Sequence, residues 1–196
     1  PAGTADIGEQ YARRDPRIRV MRLPHGGVSA ARNRGLEMAE SRYVAFMDCD
    51  DRVDPQYLAA FFRTPLPDGD LLVSQGVAIE YIAQNRTELY DYPDTTGTQG
   101  ELGKIIVENR LLRDGWTYCK LFSLPLIRRE ALRFDTGLSI CEDLVFVLGY
   151  LSHVRQIILR SGTYYHYQVC PDGTSLSQRG GGGSPPPKHF APECRY

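Results

Sequence analysis

Residues 42–48, RYVAFMD, form a nearly unbroken apolar run that leads into three aspartates within four positions, Asp48, Asp50 and Asp51. So short an apolar run reads as a strand covered on both faces, the pattern of a parallel sheet flanked by helices. The neighbouring segments agree. ADIGEQYARR (5–14) reads as a short polar helix, and RIRVMRL (17–23) has the period-two pattern of a strand. SAARNRGLEMAE (29–40) is predicted to be a helix capped by Ser29, and Asp54 followed by Pro55 predicts a cap and first turn for PQYLAAFFR. DLLVSQGVAIEYI (70–82) is a further strand. This alternation implies an α/β architecture, a mostly parallel sheet with helices on both faces.

The second half is less regular. Residues 83–100, rich in Thr, Gly, Asp and Tyr, read as a long loop. Helical spacing recurs over 101–113 and 142–152, and late strands are predicted at 155–160 and 163–169. The Gly/Ser-rich and then Pro-rich end predicts a folded unit over residues 1–177 and a disordered tail over 178–196. A formal net charge of -1 argues against a general nucleic-acid binder. No apolar run approaches the roughly 20 residues of a membrane helix, and the first residues lack the apolar core of a signal peptide. The five cysteines are scattered without C-x-x-C spacing, which favours reduced thiols and a cytoplasmic setting.

Side chains alternate along a strand, so Asp48 and Asp50 point the same way, roughly 7 Å apart. Two carboxylates at the carboxyl end of a parallel strand suit a divalent cation and a phosphate group, with Mg²⁺ or Mn²⁺ as the hard cation. The alternative is a strand that simply ends in polar residues. That covers Asp54, whose capping is sufficient, but leaves two carboxylates behind four apolar residues at a cost. A calcium-binding helix-loop-helix would need glycine where Val53 stands. A phosphohydrolase that uses D-x-D stays open as an alternative, although Asp51 and Arg52 depart from its usual continuation.

Three ordered stretches resemble family 2 glycosyltransferases. They are LPHGGVSAARNRGLEMAESRYVAFMDCDDRVDPQYL, WTYCKLFSLPLIRREALRFDTGLSICEDLVF and YYHYQVCPDGTSLS, spanning about Gly3 to Ser177. The resemblance implies a GT-A fold, the Rossmann-like fold of nucleotide-diphospho-sugar transferases. It also implies inverting, metal-dependent transfer of a sugar from a nucleotide-sugar donor, such as a UDP-sugar, to a glycan or lipid-linked acceptor. Carried onto this chain, it makes Asp50 and Asp48 the metal carboxylates, with Asp51 in reserve, and puts Asp48 near the ribose. Ala31, Arg32 and Asn33 fall on the donor side, with Arg32 on phosphate. Asp143 becomes the base that takes the acceptor proton, with Glu142 shaping the acceptor pocket. Trp116 either stacks on an acceptor sugar or belongs to the core. His166 either joins the metal shell or is structural, and Lys120 either contacts phosphate or packs. The family setting implies cell-envelope or exopolysaccharide assembly, cytoplasmic or peripherally associated with the inner membrane face.

One departure qualifies this. The family opens with a hydrophobic strand and an Asp-Asp-Gly-Ser-Thr-Asp turn, but here Pro1 and Ala2 stand where its leading aspartates belong. Only Gly3, Thr4 and Asp6 match. The expectation is therefore a sheet lacking its first strand, and a non-catalytic chain that keeps the scaffold remains the second reading. The Q-x-x-R-W motif of processive synthases is absent, which favours transfer of a single sugar.

Overall fold

The computed structural model describes residues 3–112 and 116–169. The expected tail, together with Cys170 and Cys194, lies outside the described residues. In chain order the elements are α1 (Thr4–Arg14), α2 (Gly27–Met38), β1 (Tyr43–Ala45), β2 (Arg52–Val53), α3 (Tyr57–Phe61) and β3 (Leu71–Tyr81). They continue with β4 (Arg86–Tyr90), β5 (Thr95–Thr98), α4 (Leu102–Glu108), β6 (Lys120–Ser123), α5 (Leu124–Arg129), α6 (Glu142–Leu151) and β7 (Gln156–Val169).

These strands form one sheet in the order β1-β6-β3-β7-β2, with β4 also on β3 and β5 also on β7. The sheet is mixed, which corrects the expectation of a mostly parallel one. Of the described pairings, only β3–β7 is parallel. β6 lies antiparallel between β1 and β3, so β1 and β3 run the same way without touching. The reading of βα alternation therefore gave the right strand direction, while a later segment took the place between the two strands. Period-two alternation sends Leu72, Phe122, Ile157 and Leu159 into one core, with α2, α4, α5 and α6. Leu71, Val73, Leu121, Ile158 and Tyr165 go into the other, with Tyr57 and Phe61 of α3. Helices thus cover both faces.

Several local expectations change for physical reasons. Arg17 lies in a turn closed by the Ile18 N–H on the Asp15 carbonyl at 3.0 Å, residues 18–23 belong to no helix or strand, and Ile18, Val20 and Leu23 are exposed. The expected strand is therefore not formed, because period-two alternation has no ladder to join among the described residues. Helix α2 begins two residues early, because Gly27 adopts φ +80 and turns the chain into it. Ser29 therefore lies inside the helix, buried, and does not cap it. Helix α3 starts later than expected, with Gln56 at its cap position, so Asp54 does not cap it and contributes only a backbone carbonyl that accepts the Tyr57 N–H at 3.0 Å. The supposed loop at 83–100 holds β4 and β5. The two late strands are one, β7, interrupted opposite Gln75 and Val77 where Gly162 takes φ +113.

Gly76 lies at the same irregularity. A Cβ there would overlap the Tyr90 carbonyl oxygen and stand 3.0 Å from the Asp91 Cα, both backbone atoms. Gly76→Ala should cost about 1–3 kcal/mol, the usual range for overpacking, read as a lower urea midpoint with an unchanged slope.

Candidate active site

The site is centred on Arg32, in the second turn of α2. Its guanidinium is mostly buried, with 11% side-chain exposure, and meets three carboxylates from two distant segments. Nη2 donates to Asp48 Oδ1 at 2.9 Å, and Nη1 donates to Glu142 Oε1 at 3.1 Å and to Asp143 Oδ1. The guanidinium carbon also lies 5.3 Å from the Phe134 ring centroid, and that ring stacks on Phe146 at 4.1 Å. Asn33 locks this arrangement in register. Its Nδ2 donates to the Phe134 carbonyl and its Oδ1 accepts the Phe134 N–H, each at 2.8 Å. The fork of Arg32 suits this task, because five fixed donors can serve several carboxylate oxygens at once.

Glu142 and Asp143 open α6, where their charge favours the positive end of the helix dipole. Cys141 turns the chain into the helix at φ 65 without a side-chain cap. Burial pushes the Asp143 carboxyl up to about 7; Arg32 opposes the shift and the neighbouring Glu142 adds to it. A group with that affinity takes and releases protons near neutrality.

The acidic turn lies beyond β1. Asp50 is exposed, and its carboxylate makes no ion pair among the described residues. Asp51 is engaged at both oxygens: Oδ2 accepts the Tyr165 hydroxyl at 2.5 Å and Oδ1 accepts the Gln168 N–H at 3.0 Å. Burial raises the Asp51 carboxyl to about 6 despite these two bonds. Among the described residues, no three His, Cys, Asp or Glu side chains converge on a metal position. Asp48 and Asp50 nevertheless offer hard oxygen donors. They fit Mg²⁺ or Mn²⁺ if the remaining ligands come from substrate phosphates and water.

The other candidates lie elsewhere. Ala31 is exposed and lines a depression of about 290 Å³ with Gly26, Gly27 and Arg34 at the start of α2. Trp116 is not brought to the carboxylate cluster. It stacks on Tyr118 and Tyr167, at 5.0 and 6.1 Å, and lines a different cavity of about 220 Å³. Lys120 is buried and donates to the Trp116 carbonyl at 2.6 Å. His166 faces Glu80 through Nδ1 at 2.8 Å, with Asp54 Oδ2 at 3.2 Å from Nε2 and Arg52 also against Nδ1. Sequence reasoning missed Tyr165 and the Asn33–Phe134 clamp. Both lay within quoted motifs, but only their contacts reveal what they do.

The glycosyl transferase family 2 model matches residues 1–133. YibD of Escherichia coli, a glycosyltransferase, is 40% identical over 89% of this chain and 51% of its own length. The minor teichoic acid biosynthesis protein GgaB of Bacillus subtilis is 31% identical over 88% of this chain and 19% of its own. Among solved structures, residues 1–349 of S. aureus TarS in complex with UDP-GlcNAc share the fold. The TM-score is 0.67 at 22% identity, over 89% of this chain and 48% of that one. The chain thus spans about half the length of YibD and of that TarS structure. Its mixed sheet, helices on both faces and matched sequence agree: the chain belongs to glycosyltransferase family 2.

Proposed function

We propose that this chain carries the catalytic centre of a metal-dependent, inverting glycosyltransferase that moves one sugar from a nucleotide-diphosphate donor to an acceptor hydroxyl. One observation carries the reading. Asp48, beside the acidic turn, and Asp143, at the start of α6, meet on the single guanidinium of Arg32. Donor-side and acceptor-side carboxylates thereby occupy one place. Asp143 takes the acceptor hydroxyl proton as that oxygen bonds to the anomeric carbon. The bond from that carbon to the phosphate oxygen breaks on the opposite face, and its electron pair leaves with the nucleoside diphosphate. Arg32 orients Asp143 and keeps its proton affinity within reach of neutral pH. Asp50 and Asp48 would hold the divalent cation, which supplies neutralisation of the departing diphosphate when bound.

The donor we assign is a UDP-sugar, by analogy with the UDP-GlcNAc of the TarS complex. The acceptor is a glycan or a lipid-linked glycan of the cell envelope, an assignment supported by the teichoic acid role in the name of GgaB. No helix among the described residues is long and apolar enough to cross a membrane. Peripheral association with the inner, cytoplasmic membrane face is a separate part of the proposal, which rests on the lipid-linked acceptor.

The test is calorimetry with UDP and Mn²⁺ on the chain and on Asp50→Ala, paired with a transfer assay. The reading requires metal-dependent UDP binding that Asp50→Ala weakens at least about tenfold, a change of about 1.4 kcal/mol. Equal binding with and without Mn²⁺ would count against the metal assignment. UDP binding without transfer by any form of the protein would favour a non-catalytic scaffold.

A further inference from the structure

The turn that carries Asp48 and Asp50 is closed by a group from far along the chain. Tyr165 of β7 is fully buried, opposite Val53 of β2 and Val77 of β3. Its hydroxyl accepts the backbone N–H of Asp48 at 3.1 Å and donates to Asp51 Oδ2 at 2.5 Å. The second Asp51 oxygen takes the Gln168 N–H, and the Asp51 N–H returns to the Asp48 carbonyl at 3.3 Å. Both ends of the turn are thus tied to one strand through one hydroxyl. The carboxylate of Asp50, between them, is left exposed.

We infer that Tyr165 and Asp51 form a positioning pair, which holds residues 48–51 in the shape that presents Asp48 and Asp50 to the donor diphosphate. The inference rests on the functional reading of those two carboxylates. It gives the third aspartate of the cluster a task other than metal ligation, since hydrogen bonds from β7 occupy both of its oxygens. The Tyr165 ring is separately anchored by stacking on Tyr118 at 4.7 Å and by Tyr57 at 5.6 Å. Removing the hydroxyl alone therefore leaves the packing in place.

The experiment compares the full chain with Tyr165→Phe, Asp51→Asn and the double variant, by amide hydrogen exchange and by transfer kinetics with a UDP-sugar and Mn²⁺. The expected result is that the Asp48 amide exchanges on the order of tenfold faster in each single variant, while the amides of Leu72 and Phe122 keep their protection. The donor KM should rise roughly tenfold with the acceptor KM unchanged, the loss expected for a bond to a charged group. The double variant should lose no more than either single one, because both remove the same tie. An unchanged Asp48 exchange rate in Tyr165→Phe, or additive losses in the double variant, overturns the inference. A wild-type chain that neither binds UDP nor transfers sugar defeats the functional reading instead. In that event the exchange measurement still decides whether the pair holds the turn.

Discussion

Asp143→Asn is expected to lower sugar transfer 10²–10⁴-fold, the usual contribution of a positioned general base, with donor binding nearly unchanged. Asparagine fills the same space and can still accept from Arg32, but it cannot take the proton of an acceptor hydroxyl. The wild-type rate should rise with pH through about 7, where the buried Asp143 carboxyl loses its proton, and the variant should lack that limb. Stability should respond in the opposite direction. Asp143 is held at about 7 in the folded chain, against 3.8 for the unperturbed group. Between those values the folded state binds more protons than the unfolded one, so this residue makes stability fall as pH rises toward 7. The thermal midpoint of the variant relative to wild type should therefore increase from pH 5 to pH 8. A flat pH–rate profile in wild type, or an unchanged rate in Asp143→Asn, would remove Asp143 from the base role.

Arg32→Ala should be the most destabilising single change in the site, about 3 kcal/mol, near the low end for breaking a buried ion pair. The loss comes chiefly from what stays behind. Asp48, Glu142 and Asp143 would share a partly buried space with no cation among them. Protonation relieves that repulsion, so the deficit should shrink as pH falls from 8 to 5. Urea unfolding at the two pH values measures it. Arg32→Lys should recover only part of the loss, since a single ammonium cannot reach three carboxylates in fixed directions. A deficit equal at both pH values would show that lost packing over Phe134, not charge, is responsible. Transfer should fall in Arg32→Ala as well, because Asp143 then loses both its orientation and its nearest cation.

Many elements of the fold were legible from local pattern. The apolar run of β3, the helical spacing of α6 and the polar helix α1 all appear within a few residues of where the sequence placed them. Helices on both faces follow from the two apolar sets of the central strands. Misplaced features share one cause. Ser29 and Asp54 are good caps by type, but Gly27 starts α2 earlier and the Asp54 carboxylate faces His166. Residues 17–23 alternate as a strand should, yet alternation reports which faces a chain offers, not whether a partner strand lies beside it.

The same distinction separates the two halves of the candidate site. By itself the sequence showed an acidic cluster behind a buried apolar run, while the Ala31-Arg32-Asn33 stretch and the Glu142-Asp143 pair stood out through the resemblance to family 2 glycosyltransferases. Short-range periodicity and residue type suffice for the acidic cluster, because they depend on backbone state and on the chemistry of single side chains. Only the tertiary structure decided that Arg32, already paired with Asp48, also meets Asp143, 111 residues further along the chain than itself. It likewise placed β6 between β1 and β3, and the Tyr165 hydroxyl on both Asp48 and Asp51. Such meetings arise from how the two cores close around the sheet. Contacts so distant in sequence are set by the packing of whole elements, which no local window records.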